Sequence, residues 1–210
     1  DGREWLTEPE AKSLLSAYHI PVVETHVASN SAAAGAAAAR IGAPVALKIL
    51  SPDITHKSDV GGVSLDLETP ESVEAAAAAM RARMTVSAPK ARIDGFTVSR
   101  MVRRPHAYEL IVGVTGDPQF GPMILFGQGG TAVEVINDKA LALPPLNLRL
   151  ARDLIGRTRI ARLLEGFRDR PAIALGALAL TLVRVSRLIE DLGDVVELDI
   201  NPLLADETGV

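Results

Sequence analysis

Glu109-Leu110-Ile111-Val112-Gly113-Val114-Thr115-Gly116-Asp117-Pro118-Gln119-Phe120-Gly121-Pro122-Met123-Ile124-Leu125-Phe126-Gly127-Gln128-Gly129-Gly130 is the stretch that decides the fold. Its apolar runs Glu109–Val114 and Met123–Phe126 read as strands, and Gly116-Asp117-Pro118 between them is a turn signal. Gly127, Gly129 and Gly130 then lead into a third apolar run, Ala132–Ile136. Strands joined by short turns are antiparallel neighbours, because a parallel pair needs a crossover of a dozen residues or more.

Upstream, Thr7-Glu8-Pro9-Glu10 has capping-box spacing and predicts a helix to about His19. Pro21–Val27 reads as a strand. Ser29-Asn30-Ser31 caps an alanine-rich helix that stops at Gly42. Pro44–Leu50 and the alternating Val63–Leu67 read as strands, Thr69-Pro70-Glu71 starts a helix to about Met84, and Gly95–Val102 is a strand ending at the polar hinge Arg103-Arg104-Pro105. Downstream, helices are expected at Leu148–Ile155, Ile160–Leu164 and Ala172–Leu192, with a last strand at Val195–Ile200 before Pro202. Strands in hairpins with segregated helices make an α+β protein of mainly antiparallel sheets, not a doubly wound one.

Composition closes several functional classes. With 210 residues and 48% hydrophobic content the chain can bury a core, as one domain or two small lobes. A net charge of -4 and 3% aromatic residues leave neither a basic field nor stacking platforms for nucleic acid. The absence of cysteine excludes disulfides and thiolate metal sites and is compatible with the cytoplasm. The longest uncharged run, Pro171–Val183, is shorter than the ~20 residues of a bilayer span and is expected to be a core helix. The chain opens Asp1-Gly2-Arg3-Glu4 without an initiator methionine and reads as part of a longer polypeptide.

Three places carry candidate chemistry. In Glu197-Leu198-Asp199-Ile200-Asn201-Pro202, period-two geometry puts Glu197, Asp199 and Asn201 on one face, a set of hard oxygen donors suited to Mg²⁺ or simply a polar strand edge. Lys48, inside an apolar strand, must bring its ammonium to water or to an anion. After it, Ser51–Gly62 joins Lys57, His56, hydroxyls and the glycines Gly61 and Gly62, whose backbone N–H groups can approach phosphate. His56 has the nucleophilicity to accept a phosphoryl group and equally the capacity to hydrogen-bond the loop. Glu109, at the head of its strand, could accept a ribose hydroxyl or be merely exposed. His19, His26 and His106 are expected to be structural.

Taken in order, Ala46–Ile49, Ser51–Val63, Glu109–Val114, Asp117–Pro122 with the glycine turn, and Leu198–Leu204 resemble the ATP-grasp domain of ADP-forming (NDP-forming) acyl-CoA synthetases, which is similar to the β subunit of succinyl-CoA synthetase. The resemblance implies an ATP-grasp fold of two α+β lobes with a nucleotide cleft between them: a small lobe at 21–104, and a large lobe at 1–20 with 105–210. It implies Lys48, with Lys57, Gly61 and Gly62, on the phosphates of ATP or ADP, backbone groups of Arg100, Met101 and Val102 on adenine, Glu109 on the ribose, and Asp199 and Asn201 on Mg²⁺. His56 takes the role of a second phosphoryl relay. The implied activity is phosphoryl transfer between nucleotide and a histidine of a partner CoA-binding or ligase domain, or α-like subunit, in an oligomeric protein. Closure at the hinge would exclude competing water.

Two departures stand out: the family carries a further metal-binding aspartate on a strand expected beyond Val210, and Arg100 stands where many members have an acidic residue. Ala142–Leu150 is similar to a branch fused to GNAT-type protein lysine acetyltransferases, so a regulatory module is the alternative. A carboxylate–amine ligase of the same fold ranks last, since the chain has no room for its acceptor pocket.

Overall fold

The computed structural model describes residues 5–42, 44–54, 57–130 and 137–210. The chain divides into two compact units, Asp1–Ser16 with Val22–Arg103, and Ala17–Pro21 with Arg104–Val210.

The first unit holds a four-stranded sheet ordered β1-β4-β2-β3, where β1 is Thr25–Ala28, β2 Val45–Leu50, β3 Val63–Leu67 and β4 Gly95–Arg100. All its pairings are antiparallel. Alternation turns Val45, Leu47 and Ile49 of β2 and Phe96 and Val98 of β4 to one face, into a core with helices α2 (Ser31–Ile41) and α3 (Pro70–Ser87). Their alanines let the two helices approach closely: a Cβ on Gly35 would stand 3.0 Å from the Pro70 carbonyl. Local signals fix their ends. Asn30 accepts from the Ala33 N–H, Gly42 closes α2 in the left-handed conformation at φ 64°, and Thr69 with Ser72 forms a capping box for α3.

Helix α1 (Glu8–Ala17) buries none of its side chains. The Glu10 carboxylate reaches back to the Thr7 N–H and hydroxyl, both at 2.7 Å, as the capping spacing predicts. The helix is held by polar ties to the first unit, Lys12 Nζ to Thr25 Oγ1 at 2.8 Å and Lys48 to Glu8, which is why Asp1–Ser16 groups there although the sequence assigned 1–20 to the second lobe. Only Ala17–Pro21 joins the second unit, where Arg184 donates to the His19 carbonyl at 2.7 Å.

The second unit has an antiparallel sheet ordered β7-β6-β5-β8, with β5 Tyr108–Asp117, β6 Gly121–Gln128, β7 Lys139–Ala142 and β8 Leu198–Ala205. The hairpin predicted from Gly116-Asp117-Pro118 is present and longer than expected; the Asp117 carboxylate accepts from Gln119 and Phe120 N–H, and Gly121 turns at φ 76°. The predicted run 132–136 lies outside the described residues. Leu110, Val112, Val114, Ile124 and Phe126 form the buried face, together with buried residues of α4 (Leu148–Gly156), α5 (Ala161–Leu164) and α6 (Leu175–Asp191). Among the described residues no helix is long and apolar enough to cross a membrane.

The last strand corrects the sequence reading. It does not stop before Pro202 but runs from Leu198 to Ala205, and the register slips so that Leu110 faces Leu203 while Val112 faces Ile200. One residue of β5 thus opposes two of β8, a bulge at Asn201-Pro202. Proline, which has no N–H for the ladder, is tolerated there. The bulge also flips the phase: Asp199 and Asn201 are exposed before it, Leu203 and Ala205 buried after it.

Candidate functional site

In the first unit, Lys48 lies on the sheet face opposite the helices, directly across from Thr97 of β4. Its ammonium finds the anion that a strand lysine requires in Glu8, 3.3 Å away, and the same Glu8 oxygen accepts from Lys12 at 2.8 Å. Burial by itself would raise the Glu8 carboxyl, but hydrogen bonding and charge from Lys12 and Lys48 prevail and hold it below the ordinary value. Sequence reasoning saw Glu8 only as a cap neighbour, since nothing in a separation of forty residues announces the pair. The Thr97 hydroxyl is buried and has no hydrogen-bond partner among the described residues.

The expected glycine cradle is not built. Gly61 N–H donates to the Ser58 carbonyl and Gly62 N–H to the Lys57 carbonyl at 2.7 Å, so both amides close the loop's own turn. Gly62 is there for packing: a Cβ would meet Ile49 Cγ2 at 2.7 Å and the Lys57 carbonyl at 2.9 Å. The Gly61 carbonyl is tied to α3 through Arg83 at 3.1 Å. Lys57 follows two undescribed positions, Thr55 and His56, so the His56 reading lies outside the described residues.

The segment Arg100–Val102 is also partly engaged. Arg100 N–H donates to the Glu24 carbonyl and Met101 N–H to the Pro44 carbonyl at 2.9 Å. The Arg100 guanidinium bonds Glu24 at 3.0 Å and the Ile41 carbonyl at 2.8 Å. Its unexpected charge is therefore neutralised within the unit, and recognition of a base by these two amides is excluded in this arrangement.

The second unit gathers its candidates on one face. Register aligns Leu141, Leu125, Gly113 and Asp199 in a row across the sheet, with Lys139, Gly127 and Ile111 in the next. Glu109, two residues from Ile111, points to the same side. Gly130 lies against the Glu109 carboxylate, which a Cβ would approach to 2.7 Å, and Gly129 N–H donates to the Glu109 carbonyl at 2.8 Å. The glycine turn is thus the seat of Glu109. Ile111, Leu125 and Lys139 were not singled out from the sequence, although strand parity alone would have found them.

At the end of that row, Asp199 has no ion-pair partner among the described residues; although the residue is largely exposed, its carboxyl is raised by partial burial and by the negative charge of Glu197. Two neighbouring carboxylates without a counter-charge among the described residues fit a hard divalent cation such as Mg²⁺, with Asn201 as a neutral oxygen donor. No cluster of three or more His, Asp or Glu side chains occurs among the described residues, so a cation here would draw further ligands from water or substrate oxygens.

A family model described as "ATP-grasp domain" matches residues 1–210. The chain is 41% identical over 200 residues to the acetate–CoA ligase [ADP-forming] I of Archaeoglobus fulgidus, covering 95% of this chain and 29% of the relative. To the β subunit of acetate–CoA ligase [ADP-forming] I of Pyrococcus furiosus it is 38% identical, covering 96% and 86%. It therefore spans under a third of the length of the first relative and most of the second. A structure of the Ca. Korarchaeum cryptofilum dinucleotide forming acetyl-coenzyme A synthetase 1 with coenzyme A and Ca-AMPCP superposes with TM-score 0.90 at 37% identity, covering 97% of this chain and 88% of that one. Another structure of that protein carries coenzyme A and Mg-AMPPCP, with its phosphohistidine segment pointing towards the nucleotide binding site; here the TM-score is 0.84 at 34% identity, covering 98% and 88%.

Proposed function

The chain belongs to the ATP-grasp domain family, and from that premise we propose that it is the MgATP/MgADP-binding module of an ADP-forming acyl-CoA synthetase, an acid–CoA ligase. In this reading a phosphoryl group passes between the nucleotide and a histidine of a partner CoA-binding or ligase domain, or α-like subunit, in the cytoplasm. The observation that carries it is Asp199, beside the like-charged Glu197 and without an ion-pair partner among the described residues. Acyl and CoA chemistry belongs to the partner.

Phosphoryl transfer asks a protein for positioning and charge neutralisation. Lys48 and Lys57 supply cationic donors for phosphate oxygens. Glu109, whose carboxylate lies against Gly130, accepts from a ribose hydroxyl, and the Val102 amide, which has no hydrogen bond among the described residues, serves the base. Asp199 and Asn201 hold Mg²⁺, which when bound neutralises charge on the transferring phosphoryl group. His56 is the proposed second relay.

Calorimetry on the full-length protein should give nucleotide binding that strengthens with Mg²⁺. Binding indifferent to Mg²⁺ would refute the Asp199 assignment. For His56, acid-labile and base-stable label from ATP should be lost in His56→Ala; unchanged labelling removes the relay.

A further inference from the structure

Lys48 is occupied, and the manner of its occupation is informative. One Glu8 oxygen bridges two ammoniums, Lys12 at 2.8 Å and Lys48 at 3.3 Å. Lys12 has a second anchor in Thr25 Oγ1 at 2.8 Å, so its place does not depend on Lys48. Two ammoniums against one carboxylate leave a formal excess of one positive charge (2 − 1 = +1). Beside Lys48, on the same sheet face, stands the buried Thr97 hydroxyl without a partner among the described residues. Among the described residues, the polar face is therefore not saturated from within.

We infer that Glu8 is an internal stand-in for the nucleotide's phosphate: its carboxylate holds the Lys48 ammonium until a phosphate oxygen takes its place, and it then stays paired with Lys12. This rests on the reading of Lys48 as the phosphate-binding lysine. The longer of the two contacts is the one to Lys48, and it is the one that exchanges. Helix α1, which carries Glu8 and Lys12, buries no side chain, so a small displacement of Glu8 uncovers no apolar core. Before exchange the ammonium is held at Glu8 on the polar sheet face and is not free to wander; after it, Glu8 with Lys12 is a neutral pair and the whole charge of Lys48 faces the phosphate. Glu8 is thus a positioning residue that sets affinity for the phosphate part of the ligand and not for its base.

The test is calorimetric binding of ADP and of adenosine to the full-length protein and to Glu8→Gln, Glu8→Ala, Lys48→Ala and the double variant Glu8→Gln/Lys48→Ala, with thermal melting to establish folding. Glu8→Gln should tighten ADP about fivefold, the scale of a part-exposed ion pair. Adenosine affinity should be unchanged, and the gain should vanish in the Lys48→Ala background. Glu8→Ala should reproduce the gain. In Glu8→Gln/Lys12→Met the gain should survive, because Lys12 keeps Glu8 and does not touch phosphate. Unchanged or weaker ADP binding in folded Glu8→Gln, or a gain that persists without Lys48, overturns the inference while leaving Lys48 as the phosphate ligand. ADP binding untouched by Lys48→Ala brings down the Lys48 reading itself.

Discussion

The loop Lys57–Gly62 and the strand end Glu197–Asn201 are both dense in polar groups, but the structure disposes of those groups in opposite ways. In the loop, the Gly61 and Gly62 amides bond the loop's own carbonyls, and Arg83 takes the Gly61 carbonyl. At the strand end, Asp199 has no ion-pair partner among the described residues, and its carboxyl is pushed up by partial burial and then by the neighbouring Glu197. Polar groups that satisfy one another hold shape; those left with an unfavourable neighbour mark where a ligand is needed. The loop's glycine backbone is scaffold and the strand end is site, and the following experiments can break that division.

The largest effect is expected at the strand end. Asp199→Ala should weaken the Mg²⁺-dependent part of nucleotide binding at least as much as the ~10–100-fold that loss of an outer-shell partner costs a metal site. Removing one of two like charges should not lower the melting temperature. A variant that melts early and still binds MgADP normally would make this strand end scaffold too.

At the loop the expectation is reversed. Gly62→Ala forces a Cβ into Ile49 and the Lys57 carbonyl, and overpacking of this kind costs about 1–3 kcal/mol of stability. Nucleotide affinity of the folded fraction should stay within about twofold of wild type, within the scatter expected for independent sites. Chemical denaturation alongside calorimetry separates the two, and full stability with lost affinity would restore the glycine cradle.

Acid sharpens the contrast between two aspartates of the second unit. Asp199 is raised by burial and Glu197, so protons should compete with Mg²⁺ from a higher pH than at an ordinary aspartate. Its ionisation costs stability above that pH, and the cost is relieved on acidification. Asp206 is lowered, first by the hydrogen bond from Arg104 and then by Thr208, so its stabilisation is full at neutral pH and fades only below the ordinary range. Magnesium titrations at several pH values should show affinity failing well before the fold does.

Much of this was legible in the sequence, for reasons that name its limits. Capping residues Asn30, Gly42 and Thr69 act within a turn of themselves, and the helices they delimit were found. Strand parity put Asp199 and Asn201 on one face because the period of two is local. What failed was non-local. The bulge at Asn201-Pro202 is a relation between two strands, the Glu8–Lys48 pair spans α1 and β2, and whether the Gly61 and Gly62 amides are free depends on the closure of the loop. Composition marks a glycine as permissive without saying whether it serves a ligand or a neighbour.

Arg100 gives the smallest effect and the most discriminating one. It stands in the segment assigned to adenine, yet its guanidinium bonds Glu24 and the Ile41 carbonyl, and its amide bonds the Glu24 carbonyl. A side chain so engaged belongs with the Gly61 and Gly62 amides and not with Asp199. Arg100→Met should therefore leave MgADP affinity within about twofold, since surface ion pairs of this kind contribute little, while Glu24 loses the guanidinium that now holds its carboxyl below the ordinary value. Nuclear magnetic resonance titration of Glu24 would register that release, rising toward the ordinary carboxylate value. A drop in nucleotide affinity of tenfold or more with an unmoved Glu24 would mean that Arg100 leaves Glu24 for the ligand, and the rule that self-satisfied polar groups are scaffold would fail at the place where it is easiest to check.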